Sequence, residues 1–164
     1  MSKHTNEPPT PDVEFEPEFV TALKDLFDEK IVFNKVMGVR LTEVHAGRVS
    51  ARIDMKHELV GNYLHNRLHG GVVSACLDGV AGMACIAASA ARHMHEAPLQ
   101  RLQRFSKLGT IDLRVDYLRP CIGEYFEMHA EVLRLGSRVA NTRMSFVGAD
   151  GKLLCVGAGA YIVS

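Results

Sequence analysis

One carboxylate lies inside a long run of small and apolar residues. The segment 68–91 reads LHGGVVSACLDGVAGMACIAASAA, and Asp78 is its one acidic side chain. An ionised carboxylate in apolar surroundings costs free energy unless it is paired or takes part in a function. The chemistry open to Asp78 is that of a general base or a nucleophile, and the structural alternative is a carboxylate that only caps or pairs inside a core.

Histidines and cysteines give no comparable signal for a metal. His65 and His69 have the i, i+4 spacing of zinc ligands on a helix, but glycines follow them and no third ligand is placed. The cysteines lie far apart in apolar contexts without C-x-x-C spacing, which predicts reduced thiols in a cytoplasmic protein and opposes a zinc or disulfide framework. These cysteines are Cys76, Cys85, Cys121 and Cys155.

The run 68–91 is predicted to be a helix that other elements enclose. Its glycines weaken an isolated helix by about 1 kcal/mol each relative to alanine, and small side chains all round suit burial on nearly every face. The length also suits a membrane span, but Ala and Gly dominate the run and an acid near its centre opposes insertion. We therefore expect a core helix and no membrane association.

Proline positions and the spacing of apolar residues predict the elements before this helix. Residues 1–16 are polar and rich in proline, which predicts a flexible tail, and 17–164 is predicted to be one domain. Pro17 opens a one-sided helix whose apolar residues recur up to Ile31. Residues 37–55 alternate as a hairpin of two strands, and 57–68 is a polar loop that approaches the central helix.

The elements after it are a basic insertion and a meander. Residues 92–107 form the insertion, which is interpreted as a solvated connector with a short helix after Pro98. Strands are predicted over 110–119, 124–135, 138–148 and 152–163, the last entered through the hairpin signal Asp150-Gly151. The first of these strands has Ile111, Leu113, Val115 and Tyr117 on one face, and the last has Leu154, Val156, Ala158, Ala160 and Ile162 on one side.

This order predicts an α+β fold with a curved antiparallel sheet of five to six strands around a long central helix, plus an extra N-terminal helix. The chain has 164 residues, 47% of them hydrophobic, as one globular domain requires. Nineteen basic residues balance nineteen acidic ones, so no net field favours nucleic acid. A small curved sheet leaves edges that a second copy would cover.

The chain resembles the hotdog-fold acyl-CoA thioesterases, particularly the phenylacetyl-CoA thioesterase (PaaI-like) branch. The resemblance covers about 16–163. It depends on His69-Gly70-Gly71 with Asp78 nine positions after the histidine, on Gly61-Asn62 before it, and on the strand Thr110-Ile111-Asp112-Leu113 that runs into Tyr117-Leu118-Arg119-Pro120.

The resemblance implies a role for each residue of a site that hydrolyses a thioester. Asp78 activates water or attacks the carbonyl, and the Gly70 backbone N–H at a helix N-terminus stabilises the oxyanion. Asn62 and His69 orient the thioester and support the loop. In several relatives the asparagine stands six residues before the histidine, where this chain has Tyr63, so Asn62 and Asn66 are alternatives. Thr110 orients the water and, in this resemblance, comes from the other subunit.

The resemblance also implies the substrate and the assembly. Gly71, Arg119, Ser137 and Arg138 are the expected substrate-binding residues, the last three at the nucleotide phosphates of CoA. We expect an acyl-CoA substrate, with medium to long aliphatic chains favoured because Ala75, Gly79 and Gly82 leave room. The expected assembly is at least a homodimer, and a dimer of dimers in its fuller form, with the site at the subunit interface and without metal or organic cofactor.

Two other functions use the same fold. An acyl-CoA or fatty-acid binding module keeps the tunnel but gains nothing from a buried acid beside the carbonyl. A dehydratase or hydratase presents a histidine with an acid or asparagine for α-proton chemistry, whereas Asp78 with Thr110 fits hydrolysis better.

Overall fold

The structure, a computed structural model, describes residues 12–164. Helices α1 to α4 cover Pro17–Asp25, Val32–Met37, Gly70–Ala91 and Pro98–Leu102. Strands β1 to β8 cover Arg40–His45, Arg48–Asp54, Val60–Asn62, Arg67–Leu68, Gly109–Tyr117, Tyr125–Leu135, Val139–Gly148 and Leu153–Ile162. A π-helical turn spans Leu26–Lys30, and 3-10 turns span His57–Leu59 and Gln103–Lys107.

Six strands form one antiparallel sheet in the order β1-β2-β6-β7-β8-β5, and β3 pairs only with β4. Helix α3 contacts all six strands of the large sheet, so one face of the sheet wraps around it. We call this the inner face and the opposite one the outer face. The predicted sheet around a long central helix is confirmed, as are the hairpin at 37–55, the short helix after Pro98 and the four strands that follow it. The prediction that these four strands form one meander is wrong, because β5 pairs with β8 at the sheet edge and, of the four, only β6, β7 and β8 are consecutive neighbours.

Helix α3 is long and apolar enough to cross a membrane, with a mean hydropathy of 1.7, but 67% of that window is buried inside the protein. Every residue from Val80 to Ala91 is buried. Its glycines admit neighbouring side chains: a Cβ on Gly79 would lie 3.1 Å from the Phe27 ring, and one on Gly82 would lie 3.0 Å from Leu108. Helix α3 is thus the enclosed core helix that the sequence predicts.

The N-terminal helix differs from the prediction, because it is interrupted before Ile31. The N–H of Ile31 donates to the carbonyl of Leu26, five residues back, which makes the last turn π-helical. The amide of the buried Asn34 donates to the Phe27 carbonyl at 3.1 Å, which satisfies a carbonyl that the turn leaves free. A second helix, α2, then follows, which hydrophobic periodicity did not predict.

The folded chain begins earlier than predicted. Residues 1–11 of the predicted tail lie outside the described residues. Within 12–16, Phe15 is buried with its ring centroid 4.6 Å from that of Phe19, and a Glu16 carboxylate oxygen accepts a hydrogen bond from Arg101 at 2.5 Å. Arg101 belongs to α4 in the basic insertion and is fully buried. Part of the insertion therefore anchors the start of the domain.

Strand β5 forms one edge of the sheet and contains a β-bulge. Thr110 lies opposite Tyr161, and Asp112 lies opposite the next residue of β8, Ala160, so Ile111 is an extra residue. Simple alternation predicts Ile111 on the face of Leu113, but Ile111 is 58% exposed. The bulge instead brings Thr110 onto the inner face, since a bulge shifts the alternation by one residue.

The face of β8 that packs against α3 is not the one that carries the predicted row of apolar residues. Cys155, Gly157, Gly159 and Tyr161 are buried on the inner face, whereas Val156, Ala158 and Ala160 are on the outer face. The glycines leave room for larger groups: a Cβ on Gly157 would lie 3.2 Å from Met144, and one on Gly159 would lie 2.9 Å from the Tyr161 ring. Neighbouring side chains therefore occupy the space that these glycines leave.

Candidate active site

Asp78 lies in the middle of α3, half-buried next to the first residues of β5. The hydroxyl of Thr110 donates to Asp78 Oδ1 at 2.9 Å. This contact exists within one chain and depends on the bulge at Ile111. The expectation that Thr110 approaches Asp78 from another subunit is therefore wrong.

A second donor to the same oxygen comes from Tyr161, which the sequence analysis missed. Its phenol donates to Asp78 Oδ1 at 3.0 Å and also lies 3.3 Å from the Asp78 carbonyl oxygen. Burial, followed by the negative charge of Asp78, raises the pKa of Tyr161 well above its ordinary value, so the phenol remains a donor. The sequence could have indicated Tyr161 only by its place in the last strand, where it shares a face with Gly157 and Gly159.

The two oxygens of Asp78 differ in their surroundings. Oδ1 accepts two hydrogen bonds, while Oδ2 has no protein donor among residues 12–164. No lysine or arginine in this described range forms an ion pair with Asp78. The carboxylate is thus oriented but not neutralised, which leaves Oδ2 able to take a proton or attack an electrophile.

The N-terminus of α3 carries the second chemical group. His69 is its N-cap, and its Nδ1 accepts a hydrogen bond from the Gly71 N–H at 2.9 Å. The Gly70 N–H has no acceptor within the described part of the chain, and it lies at the positive end of a 22-residue helix. Tyr117 donates to the Gly70 carbonyl at 2.6 Å and holds this turn in place. The Gly70 N–H is therefore free to donate to an anion.

Gly70 and Asp78 of one chain are too far apart to act on one carbonyl group. Eight residues separate them in α3, which corresponds to about 12 Å along the axis at 1.5 Å per residue. An oxyanion donor and the attacking group each have to lie about 3 Å from the reacting atoms. Each chain therefore carries two half-sites, one at Gly70 and one at Asp78.

The predicted asparagine takes part in a local turn. Asn62 Oδ1 accepts a hydrogen bond from the Leu64 N–H at 3.1 Å, and Asn66 has a left-handed backbone with φ of 47°. Within residues 12–164, no hydrogen bond joins either asparagine side chain to His69, Gly70 or Asp78. The single chain therefore places both asparagines in the loop before α3 without assigning the role to one of them.

The predicted substrate-binding residues lie at different places. Arg119 donates to the Leu153 carbonyl at 2.8 Å and lines a cavity of about 380 Å³ together with Gly70. Ser137 lines another cavity, of about 560 Å³, at the C-terminal end of α3. Arg138 is exposed, and the Gly71 N–H is used by the His69 cap. The larger cavity is also lined by Arg92, His93, Arg104 and Lys107 of the basic insertion.

Among the described residues, no group of three or more His, Cys, Asp or Glu side chains is arranged to hold a metal ion. The cysteines are free and buried, as the sequence predicts. Cys121 and Cys155 lie with their sulfurs 3.7 Å apart. The chemistry of the two half-sites thus depends on Asp78, its two donors and the Gly70 amide.

Comparison with known proteins identifies the family of this chain. The family model of the Thioesterase superfamily matches residues 65–155, which include Asp78, Gly70 and Thr110. The medium/long-chain acyl-CoA thioesterase YigI of Salmonella typhimurium is 33% identical over 139 residues, 85% of this chain and 90% of that protein.

Solved structures show the same fold. A Shewanella oneidensis protein related to the thioesterase superfamily superposes with a TM-score of 0.83 at 35% identity, over 92% of this chain and 100% of that chain. Zebra fish thioesterase superfamily member 2 superposes with a TM-score of 0.70 at 19% identity, over 92% and 100%. The chain belongs to the thioesterase superfamily and has its hotdog fold. It is a thioester hydrolase.

Proposed function

We propose that this thioesterase hydrolyses acyl-CoA to a free carboxylic acid and CoA, with Asp78 as its catalytic carboxylate. The observation that carries the proposal is the unequal carboxylate, whose Oδ1 is held by Thr110 and Tyr161 while Oδ2 is free. The names of the relatives at 33% identity support an acyl-CoA substrate.

The reaction replaces the carbon–sulfur bond of the thioester with a carbon–oxygen bond. As a general base, Asp78 Oδ2 removes a proton from water, the hydroxide adds to the carbonyl carbon, and the proton then passes to the departing CoA sulfur. As a nucleophile, Oδ2 adds to the carbonyl carbon and expels the CoA thiolate as the carbon–sulfur bond breaks. Water then hydrolyses the anhydride, which restores the Asp78 carboxylate, releases the acid and supplies the proton that the CoA thiolate takes up. In either route a backbone N–H has to stabilise the oxyanion.

The Gly70 N–H that receives this oxyanion belongs to a second copy of the chain. The two half-sites of one chain are separated along α3, so a complete site needs Gly70 of one protomer and Asp78 of its partner. The edge strand β5, which carries Thr110 and the exposed Ile111, is the proposed contact. Pairing of β5 with the same strand of a second copy would place the half-sites across the two-fold axis.

A second contact would assemble dimers into a tetramer. The outer face of β8 presents Val156, Ala158 and Ala160 where a solvated strand would carry polar residues. These small apolar side chains suit packing against another sheet. We place the interface of a dimer of dimers there.

The nucleotide of CoA is proposed to bind in the basic cavity at the end of α3. CoA carries phosphate groups, and this cavity combines Arg92, Lys107 and Ser137 with Arg104, which is ion-paired with Glu96 of the same lining. Lys107 lies three residues before Thr110 in the sequence. Arg119 borders the Gly70 half-site and would contact the same ligand from the other protomer.

The acyl chain is proposed to be medium or long and aliphatic. The expectation that Gly79 and Gly82 leave room for the acyl chain is wrong, because Phe27 and Leu108 of the same chain fill the space beside them. The name of the Salmonella typhimurium relative supports the same range of chain lengths.

Release of free CoA from a panel of acyl-CoA thioesters of different chain lengths tests the proposal. Asp78→Asn keeps the shape of the side chain and loses its basicity, so we expect kcat to fall by about a thousandfold or more. Asp54→Asn, which changes an exposed acid on β2, away from the edge strand β5, is the matched control and should keep full activity.

Undiminished turnover by Asp78→Asn would overturn the assigned role of Asp78. Failure of the wild-type protein to release CoA from any thioester in the panel, while it still binds them, would indicate an acyl-CoA binding module.

A further inference from the structure

We infer that Tyr161 is a positioning residue that determines which oxygen of Asp78 reacts. The inference rests on the proposed role of Asp78 and goes one step further, since it assigns the reacting atom, Oδ2, and the group that selects it. The two donors to Oδ1 come from adjacent strands, Thr110 from β5 and Tyr161 from β8.

The phenol of Tyr161 fixes both the side chain and the main chain of Asp78. It lies 3.0 Å from Oδ1 and 3.3 Å from the carbonyl oxygen of the same residue. Rotation of the Asp78 side chain would break the first contact. The carboxylate is therefore held in one rotamer relative to α3, with Oδ2 directed away from both donors.

Gly159, two residues before Tyr161 on the same face of β8, is small enough to leave space for this phenol. A Cβ on Gly159 would lie 2.9 Å from Cε2 and 3.0 Å from the hydroxyl of Tyr161. Glycine inside a strand weakens it and marks a close approach by another group. Here the approaching group is the Tyr161 ring. Gly159 therefore lets the Tyr161 hydroxyl reach the Asp78 carboxylate.

The phenol is suited to donate and not to react. Tyr161 is 1% exposed, and burial raises its pKa, so it carries its proton wherever Asp78 is ionised. A permanent donor at Oδ1 withdraws that oxygen from the reaction. Oδ1 therefore has two donors, whereas Oδ2 has none from the described chain. The reaction uses this difference between the two oxygens.

Tyr161→Phe removes the hydroxyl and keeps the ring. We expect kcat to fall about tenfold, because a hydrogen bond to a charged group is lost, while KM for acyl-CoA stays within about twofold of the wild type. Tyr125→Phe is the matched control, since Tyr125 lies at the other end of the sheet with its ring against Arg52. Thermal unfolding of each variant separates lost positioning from lost folding.

A double variant isolates the shared oxygen. Thr110→Val and Tyr161→Phe each leave one donor at Oδ1, whereas the double variant leaves none. We expect the double variant to lose more in kcat than the product of the two single losses, because only the double variant lets the carboxylate rotate. A purely structural role would give independent effects on kcat.

Gly159→Ala provides a second route to the same effect, because its methyl group displaces the phenol without removing it. We expect it to lower kcat at unchanged KM, as Tyr161→Phe does. Normal kcat in Tyr161→Phe beside an inactive Asp78→Asn would overturn this inference and leave the proposed function intact. Multiplicative losses in the double variant, or a loss that appears only in KM, would also overturn it.

Discussion

At the scale of single residues, two atoms without protein partners in the described chain are proposed to carry out the chemistry. One is Asp78 Oδ2, whose sister oxygen is held by Thr110 and Tyr161. The other is the Gly70 N–H, at the N-terminus of α3 and beside a cavity of about 380 Å³. A carboxylate oxygen and a free amide are the two groups that thioester hydrolysis needs from the protein.

A substitution at Gly70 tests the amide at this scale. Gly70→Pro removes the N–H but keeps the helix, because proline suits the first helical position and His69 already has the extended backbone that precedes proline. We expect kcat to fall by about 10²- to 10³-fold, the usual loss for one oxyanion donor. CoA release under saturating acyl-CoA measures it.

Gly70→Ala is the matched control, since it retains the N–H and its Cβ meets the Tyr117 ring at an ordinary 3.4 Å. Equal losses in the alanine and proline variants would show that the N–H is not the group that matters.

The sequence predicts the reactive groups better than their surroundings. Asp78 and Gly70 stand out because an acid in an apolar run and a glycine at a helix start are unusual in themselves. Tyr161 carries no such local signal, since a tyrosine in a strand is ordinary and its partner is 83 residues away. The contact between Thr110 and Asp78 was expected, but across subunits and not within one chain.

At the scale of elements, a single bulge in β5 places Thr110. Alternation along 110–117 predicts Ile111 on the inner face and Thr110 on the outer face. The extra residue at Ile111 reverses this for Thr110 alone and leaves Leu113 on the inner face. A period-two pattern cannot reveal a one-residue insertion in the ladder, because the residues on either side of it still alternate.

Exchanging the two residues tests the bulge. In the double variant Thr110→Ile with Ile111→Thr, the hydroxyl moves to the exposed position, so we expect kcat to fall about tenfold, as for loss of one donor to a charged group. Ile111→Thr alone makes the same change at the exposed position but keeps Thr110, so it should lose less kcat than the exchanged variant. Wild-type activity in the exchanged variant would mean that β5 alternates regularly through this region.

Other elements show where pattern analysis fails. In β8 the apolar residues Val156, Ala158 and Ala160 predict a core-facing side, but the glycine side faces α3 because a neighbouring helix and the Tyr161 ring need that space. The N-terminal helix reads as continuous to Ile31, and only the tertiary contact from Asn34 to Phe27 shows why it is interrupted. Close packing overrides periodicity at these positions.

At the scale of the whole molecule, the strands and the enclosed helix follow from strand patterns and glycine content, and both are confirmed. The order of the strands was not predicted, since β5 pairs with β8 instead of β6. A site shared between protomers is expected from the family resemblance. The proposal of a shared site rests on the separation of about 12 Å between Gly70 and Asp78 along one helix, at 1.5 Å per residue.

The distribution of basic residues also becomes clear only at this scale. The insertion 92–107 contributes Arg101 to the fold, where it holds Glu16, and contributes Arg92, Arg104 and Lys107 to the cavity of about 560 Å³. The interpretation of this stretch as a solvated connector therefore fails for Arg101. These three basic side chains line a cavity at the C-terminal end of α3 that is suited to an anionic ligand.

Complementation between two inactive variants tests the central claim most directly. Asp78→Asn and Gly70→Pro chains, carrying different affinity tags, are co-expressed, and the mixed dimer is purified through both tags. The mixed dimer has one site with wild-type Gly70 and wild-type Asp78 and one site with neither, so we predict about half of the wild-type kcat per dimer. Activity no greater than that of the two parent variants would contradict a site shared between protomers.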